Sequence, residues 1–166
     1  GDSPVKLAGL RGKLRQLVLG GDIAQGGADS TVLAPLLEDC CFDETDVFAG
    51  RETPDGEAVV TRLLNKRRDR SVIVLDGTGG WAGATKERLD TLHGIDVELM
   101  IASAKSGAYN DDLGLQYANM RAETWWGFRE ALDPKNNYDV ALPPSERLLA
   151  QLVTPHYVIK GKHLYV

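Results

Sequence analysis

Cysteine is nearly missing from this chain of 166 residues, where only Cys40 and Cys41 occur. Adjacent in sequence, they cannot form a C-x-x-C zinc pair and are poorly placed to bridge each other, which argues against a disulfide framework and favours a reducing compartment. Histidine is equally sparse: His93, His156 and His163 are scattered, so no histidine metal cluster is visible. No Gly-x-x-x-x-Gly-Lys-Ser/Thr loop occurs, so these residues hold no P-loop ATPase. There is no run of about 18 apolar residues and no charged-then-apolar leader, so no membrane partner is expected and the sequence reads as soluble and intracellular. Excess positive charge is lacking too. With a net charge of −5, any contact with nucleic acid must find its cations locally.

What is present suits one domain with a real core, since 43% of the residues are hydrophobic. Residues 1–13, opening Gly1-Asp2-Ser3-Pro4, carry no periodicity and read as an N-terminal linker or cloning remnant; the domain is expected over 14–166. Gln16–Ile23, Ser30–Leu37 and Cys40–Ala49 read as three strands in hairpin order. Thr53-Pro54-Asp55 reads as a helix opening with threonine as cap, the helix running to about Asp69 with Val59, Val60, Leu63 and Leu64 as its buried stripe. Arg62, Lys66, Arg67 and Arg70 lie off that stripe and have two readings, a solvated face that suits the helix dipole or a DNA contact.

Ser71–Asp76 is expected as a fourth strand, Ala84–Leu92 as a helix and Asp96–Ala102 as a fifth strand, an alternation that implies a parallel portion. A helix over Leu115–Leu132 would place Tyr117, Met120, Thr124, Trp125, Phe128 and Leu132 on one core-facing side. A short helix from Pro143-Pro144-Ser145 to Leu152 and a hairpin around Gly161-Lys162 complete the pattern.

Chemistry concentrates in two acidic turns. Gly20-Gly21-Asp22-Ile23-Ala24-Gln25-Gly26-Gly27-Ala28-Asp29 and Leu75-Asp76-Gly77-Thr78-Gly79-Gly80 each set an aspartate at a strand's exit, just before glycines, where open α/β sheets keep their sites. Asp22 and Asp76 side by side would offer hard oxygen ligands to magnesium or manganese rather than zinc. A pair of such ions roughly 4 Å apart aligns the attacking water and the leaving oxygen in phosphodiester hydrolysis. Asp29 is a possible auxiliary ligand, or a turn residue whose side chain bonds nearby amides. The glycines admit a rival: both turns also look like the phosphate loops of the actin and sugar-kinase superfamily, which needs two lobes and a longer chain.

The order of these features resembles a known family. Asp-x-Ala-x-Gly-Gly-x-Asp-Ser-Thr, then Asp-Gly-x-Gly-Gly, then Asn119-Met120-Arg121-Ala122-Glu123-Thr124-Trp125-Trp126, then Leu142-Pro143, is similar to the nuclease domain of tailed-bacteriophage large terminase subunits, from about Leu14 onward. The resemblance implies a ribonuclease H-like fold: a central mixed sheet, antiparallel hairpin strands continued by parallel ones, flanked by helices. It implies a Mg2+- or Mn2+-dependent endodeoxyribonuclease that cuts concatemeric viral DNA by a two-metal mechanism in the cytoplasm of the infected bacterial host. Its partners would be double-stranded DNA, an upstream ATPase domain, the small terminase subunit and the portal protein. Asp22 matches the family's first catalytic acid and Asp76 the second.

The family's third acid follows the terminal hairpin, and this sequence ends first at Val166, so the expectation is a C-terminally truncated domain with weakened cleavage. A non-catalytic DNA-binding or docking module of the packaging motor is the alternative. Lys105, in a segment over Ser103–Asp112, is expected either to flank a DNA groove or to sit in a plain loop. Arg121 either pairs with Glu123 or a neighbour, or approaches the DNA backbone. Trp125 is expected to pack, and Trp126 to be partly exposed.

Overall fold

Alternating apolar residues build a five-stranded mixed sheet from β1 (Gln16–Asp22), β2 (Ser30–Leu37), β3 (Asp46–Ala49), β4 (Val72–Asp76) and β5 (Val97–Met100), in the order β3-β2-β1-β4-β5. β1 and β3 pair antiparallel with β2, while β4 runs parallel to both β1 and β5. Three antiparallel strands continued by parallel ones is the expected ribonuclease H-like arrangement. The computed structural model describes residues 11–24, 26–79 and 81–166, so most of the linker expected over 1–13 lies outside the described residues. The chain divides into two compact units, 1–100 with 140–143, and 101–139 with 144–166.

In the first unit, Leu19, Leu33, Ile73, Leu75 and Val97 occupy alternate positions on one face of the sheet. They bury against Val59, Val60 and Leu63 of α1 (Gly56–Lys66) and Ala82 and Leu89 of α2 (Trp81–His93). The α1 stripe is the expected one, with Leu64 partly buried beside it. The segment 140–143 belongs here because the amide of Phe42 donates to Ala141 (2.8 Å) and the buried Arg11 guanidinium donates to the Leu142 carbonyl (2.8 Å).

Two expectations in this unit change. Thr53 does not cap α1: Asp55 does, its carboxylate accepting from the amide of Ala58 (2.9 Å), and the helix stops at Lys66 rather than Asp69. The third strand does not start at Cys40. Asp39 and Cys40 take left-handed conformations (φ 56° and 51°) that turn the chain, and regular pairing begins at Asp46. Cys40 and Cys41 are free thiols.

The second unit holds a sheet that the sequence reading did not foresee, ordered β6-β7-β9-β8, from β6 (Tyr109–Asn110), β7 (Leu115–Tyr117), β8 (Val158–Lys160) and β9 (His163–Tyr165). The terminal hairpin was expected; its parallel pairing with β7 was not. Leu115–Tyr117 is therefore strand, and α3 spans Met120–Leu132 because Asn119 caps it, accepting from the amide of Ala122 (2.9 Å). That start moves the buried face to Ala122 and Trp126, packed with Tyr117 and Leu164. The Trp expectation is thus reversed, with Trp126 only 6% exposed and its Nε1–H donating to Glu130 (2.6 Å), while Trp125 is half-buried. α4 (Glu146–Leu152) is capped by Ser145. Among the described residues no helix is long and apolar enough to cross a membrane.

Candidate functional site

Asp22 and Asp76 close β1 and β4, adjacent parallel strands in matched register: Val18 pairs with Val72, Gly20 with Val74 and Gly21 with Leu75. The next residues on each strand are the two aspartates. Side chains alternate along strands, so Asp22 follows Val18 and Gly20, and Asp76 follows Val72 and Val74, onto the face opposite the Leu19–Ile73–Leu75 core. Strands in a sheet lie about 4.8 Å apart, which puts two carboxylates at neighbouring tips within reach of one ion. On the opposite face Gly21 leaves room for the core, since a Cβ there would stand 2.7 Å from a Leu75 methyl.

The electrostatics agree with that proximity. Partial burial at the strand tip, then the charges of Asp76 and Asp29, push the Asp22 carboxyl above its usual range. None of the three makes an ion pair among the described residues. The Asp76 carboxylate accepts from the amide of Thr78 (2.8 Å), which fixes its rotamer at the turn. Asp29 is exposed. Its side chain makes no hydrogen bond among the described residues, and the loop is held instead through its backbone carbonyl, which accepts from Gly50 (2.9 Å).

Sequence reasoning missed what shapes the loop between Asp22 and Asp29. Thr31 and Thr53 are fully buried and grip the Ala24 peptide. The Ala24 amide donates to Thr31 Oγ1 (3.1 Å), and the Ala24 carbonyl accepts from Thr53 Oγ1 (3.0 Å). The amide of Gly26 donates to the carbonyls of Gly50 and Thr53, both at 3.2 Å. Gly50 packs so tightly beneath the loop that a Cβ would lie 2.3 Å from the Gly27 carbonyl oxygen. The Ser-Thr after the glycine turn is the one available signal, since Thr53-Pro54-Asp55 points to a helix cap instead.

The expected cationic residues scatter. Lys66 donates to the Asp46 carboxylate (2.8 Å) and the Glu44 carbonyl (3.2 Å). Arg67 donates to the Ser71 carbonyl (2.8 Å), just before β4 begins. Arg67 therefore sits at the end of β4 away from Asp76, a strand of five residues and so about 17 Å, while the Lys66 ammonium is paired beside β3. Lys105 and Arg121 belong to the second unit and are exposed. Glu123 does not pair with Arg121; it accepts from the Ser106 hydroxyl (2.5 Å), as two residues apart on a helix do not face each other.

Unpaired carboxylates crowded on one face, one of them resisting ionisation, form a donor set that suits a hard divalent cation. Among the described residues, however, no three His, Cys, Asp or Glu side chains form a group that could hold a metal ion, so Asp29 does not join the pair as a third ligand. Asp22 and Asp76 are the two residues of the site that could hold such an ion.

No family model matches the chain, and no curated protein does. Among solved structures it is similar to the nuclease domain of the large terminase subunit gp2 of bacterial virus Sf6, with a TM-score of 0.66 and 14% identity, covering 90% of this chain and 76% of that one. Mutant forms of that domain match over the same shares: one with manganese and beta-thujaplicinol, at 0.65 and 13% identity, and one with calcium, at 0.65 and 14%. What is shared at such identity is the fold.

Proposed function

From a chain with the fold of a phage large-terminase nuclease domain, we propose a divalent-metal-dependent endodeoxyribonuclease that cuts double-stranded DNA during genome packaging. The observation that carries this reading is the pair Asp22 and Asp76 at matched tips of parallel strands, on one face of the sheet. In this reading Asp22 and Asp76 would hold magnesium or manganese. When bound, the metal would lower the pKa of a water and offset charge on the phosphodiester. The chain's own part is to supply the two carboxylates, that of Asp76 held by the Thr78 amide; Asp29 adds negative potential beside Asp22, a repulsion that a bound cation would offset. With no element reading base edges in view, cutting should show little sequence preference. The packaging partners, an ATPase domain, a small terminase subunit and a portal, come with this proposal.

Supercoiled plasmid incubated with the protein and manganese tests the assignment. Asp22→Asn and Asp76→Asn should each slow nicking by about 100-fold or more, the scale on which ~3 kcal/mol of lost transition-state stabilisation reads. Undiminished cutting by both variants would remove it. The same assay separates one other reading, a module that grips DNA without cutting it. That reading predicts manganese binding through Asp22 and Asp76 with no nicking.

A further inference from the structure

Two buried hydroxyls sit where the proposed site has no use for them as ligands. Thr31 and Thr53 come from β2 and from the turn before α1, and their Oγ1 atoms stand 2.8 Å apart. The Ala24 peptide lies against both: its amide donates to Thr31 Oγ1, its carbonyl accepts from Thr53 Oγ1, and that carbonyl is also 3.1 Å from Thr31 Oγ1. Two hydroxyl protons serve these contacts: with Thr53 donating to the Ala24 carbonyl, Thr31 donates to Thr53 Oγ1 and accepts from the Ala24 amide, so both hydroxyls are satisfied while Ala24 is pinned on both sides. A hydroxyl buried without a partner is costly, so neither can let go freely. Ala24 lies two residues beyond Asp22, and the loop it opens returns to Asp29, which is tied to Gly50 through its backbone. Asp22 and Asp29 repel each other. Left to itself, a glycine-rich loop between two like charges would spread.

We propose that the Thr31–Thr53 hydroxyl pair is the positioning device of this loop, fixing Ala24 so that the Asp22 carboxylate is held in its cation-binding geometry before any ion arrives. The threonines are positioning residues, acting through the Ala24 peptide. The inference rests on reading Asp22 and Asp76 as a divalent-cation site. Its physical content is preorganisation, in which the shell behind the ligands absorbs their repulsion in advance.

Hydrogen exchange on the metal-free wild-type protein reads the preordering directly. The amides of Ala24 and Gly26 should be protected like those of β1, and manganese should change them less than about twofold. Exchange at exposed-loop rates, slowed tenfold or more by manganese, would show that the ion orders the loop and would overturn the proposal. Calorimetric titration with manganese chloride supplies the second arm. Thr53→Val should weaken binding about tenfold with the melt still cooperative, and Thr53→Ser should restore it to within about twofold. Unchanged affinity in a folded Thr53→Val, while Asp22→Asn loses binding, would overturn this inference and leave the site reading intact. Wild-type affinity in both Asp22→Asn and Asp76→Asn would overturn the two together.

Discussion

Asp22 carries a cost that a purely structural residue would not. Its carboxyl is held above the ordinary range by partial burial and by Asp76 and Asp29, so the native state binds that proton more tightly than the unfolded chain does. Stability contributed by the protonated form is present at low pH and is lost as pH rises from the usual carboxylate range through the raised value. Asp22→Asn should therefore melt above the wild type at pH 7 and together with it near pH 3, measured by circular dichroism without metal. A lower melting temperature at pH 7 would mean that Asp22 supports the fold. The placement of the two aspartates at strand ends was legible because each closes an apolar run directly before glycines. Thr53 was not legible: Thr-Pro-Asp is valid cap chemistry, and only the fold reveals that Asp55 takes the cap while Thr53 turns inward to Ala24.

Among the elements, strands β1, β2, β4 and β5 were readable from their apolar runs, and α1 from its stripe, because burial on one face dictates each pattern. The region 115–132 was not. Its apolar residues fit a helical period from Tyr117 onward, yet the parallel partner of β7 is β9, about 47 residues later in sequence, and no local pattern announces such pairing. The outcome is a helix rotated so that Trp126, not Trp125, enters the core. Trp126→Ala should cost about 3–5 kcal/mol and Trp125→Ala far less, by urea denaturation; equal losses would contradict the observed face. The turn before α1 makes a separate prediction. Gly50→Ala places a methyl against the Gly27 backbone, and should cost about 1–3 kcal/mol, the usual range for overpacking.

For the molecule as a whole, charge sets the terms of DNA recognition. A net charge of −5 opposes a polyanion, and of the expected cations Lys66 is paired with Asp46 and Arg67 is engaged just before β4 begins. DNA affinity should therefore depend on the divalent ion: weak in chelator, stronger in calcium, with a shallow slope of log affinity against log salt that reports few displaced counterions. Strong metal-free binding with a steep slope would place the DNA on a basic surface instead. The fold was legible at this scale because short hairpins join β1 to β3 and two helix-bearing crossovers carry the chain to the parallel strands β4 and β5, whereas the second sheet depends on pairing between distant segments. The central claim is that Asp22 and Asp76 share a divalent cation, and crystals grown with manganese test it by anomalous diffraction. The account predicts a peak within coordinating distance of both carboxylates; a peak confined to other residues, or none there at millimolar manganese, would contradict it.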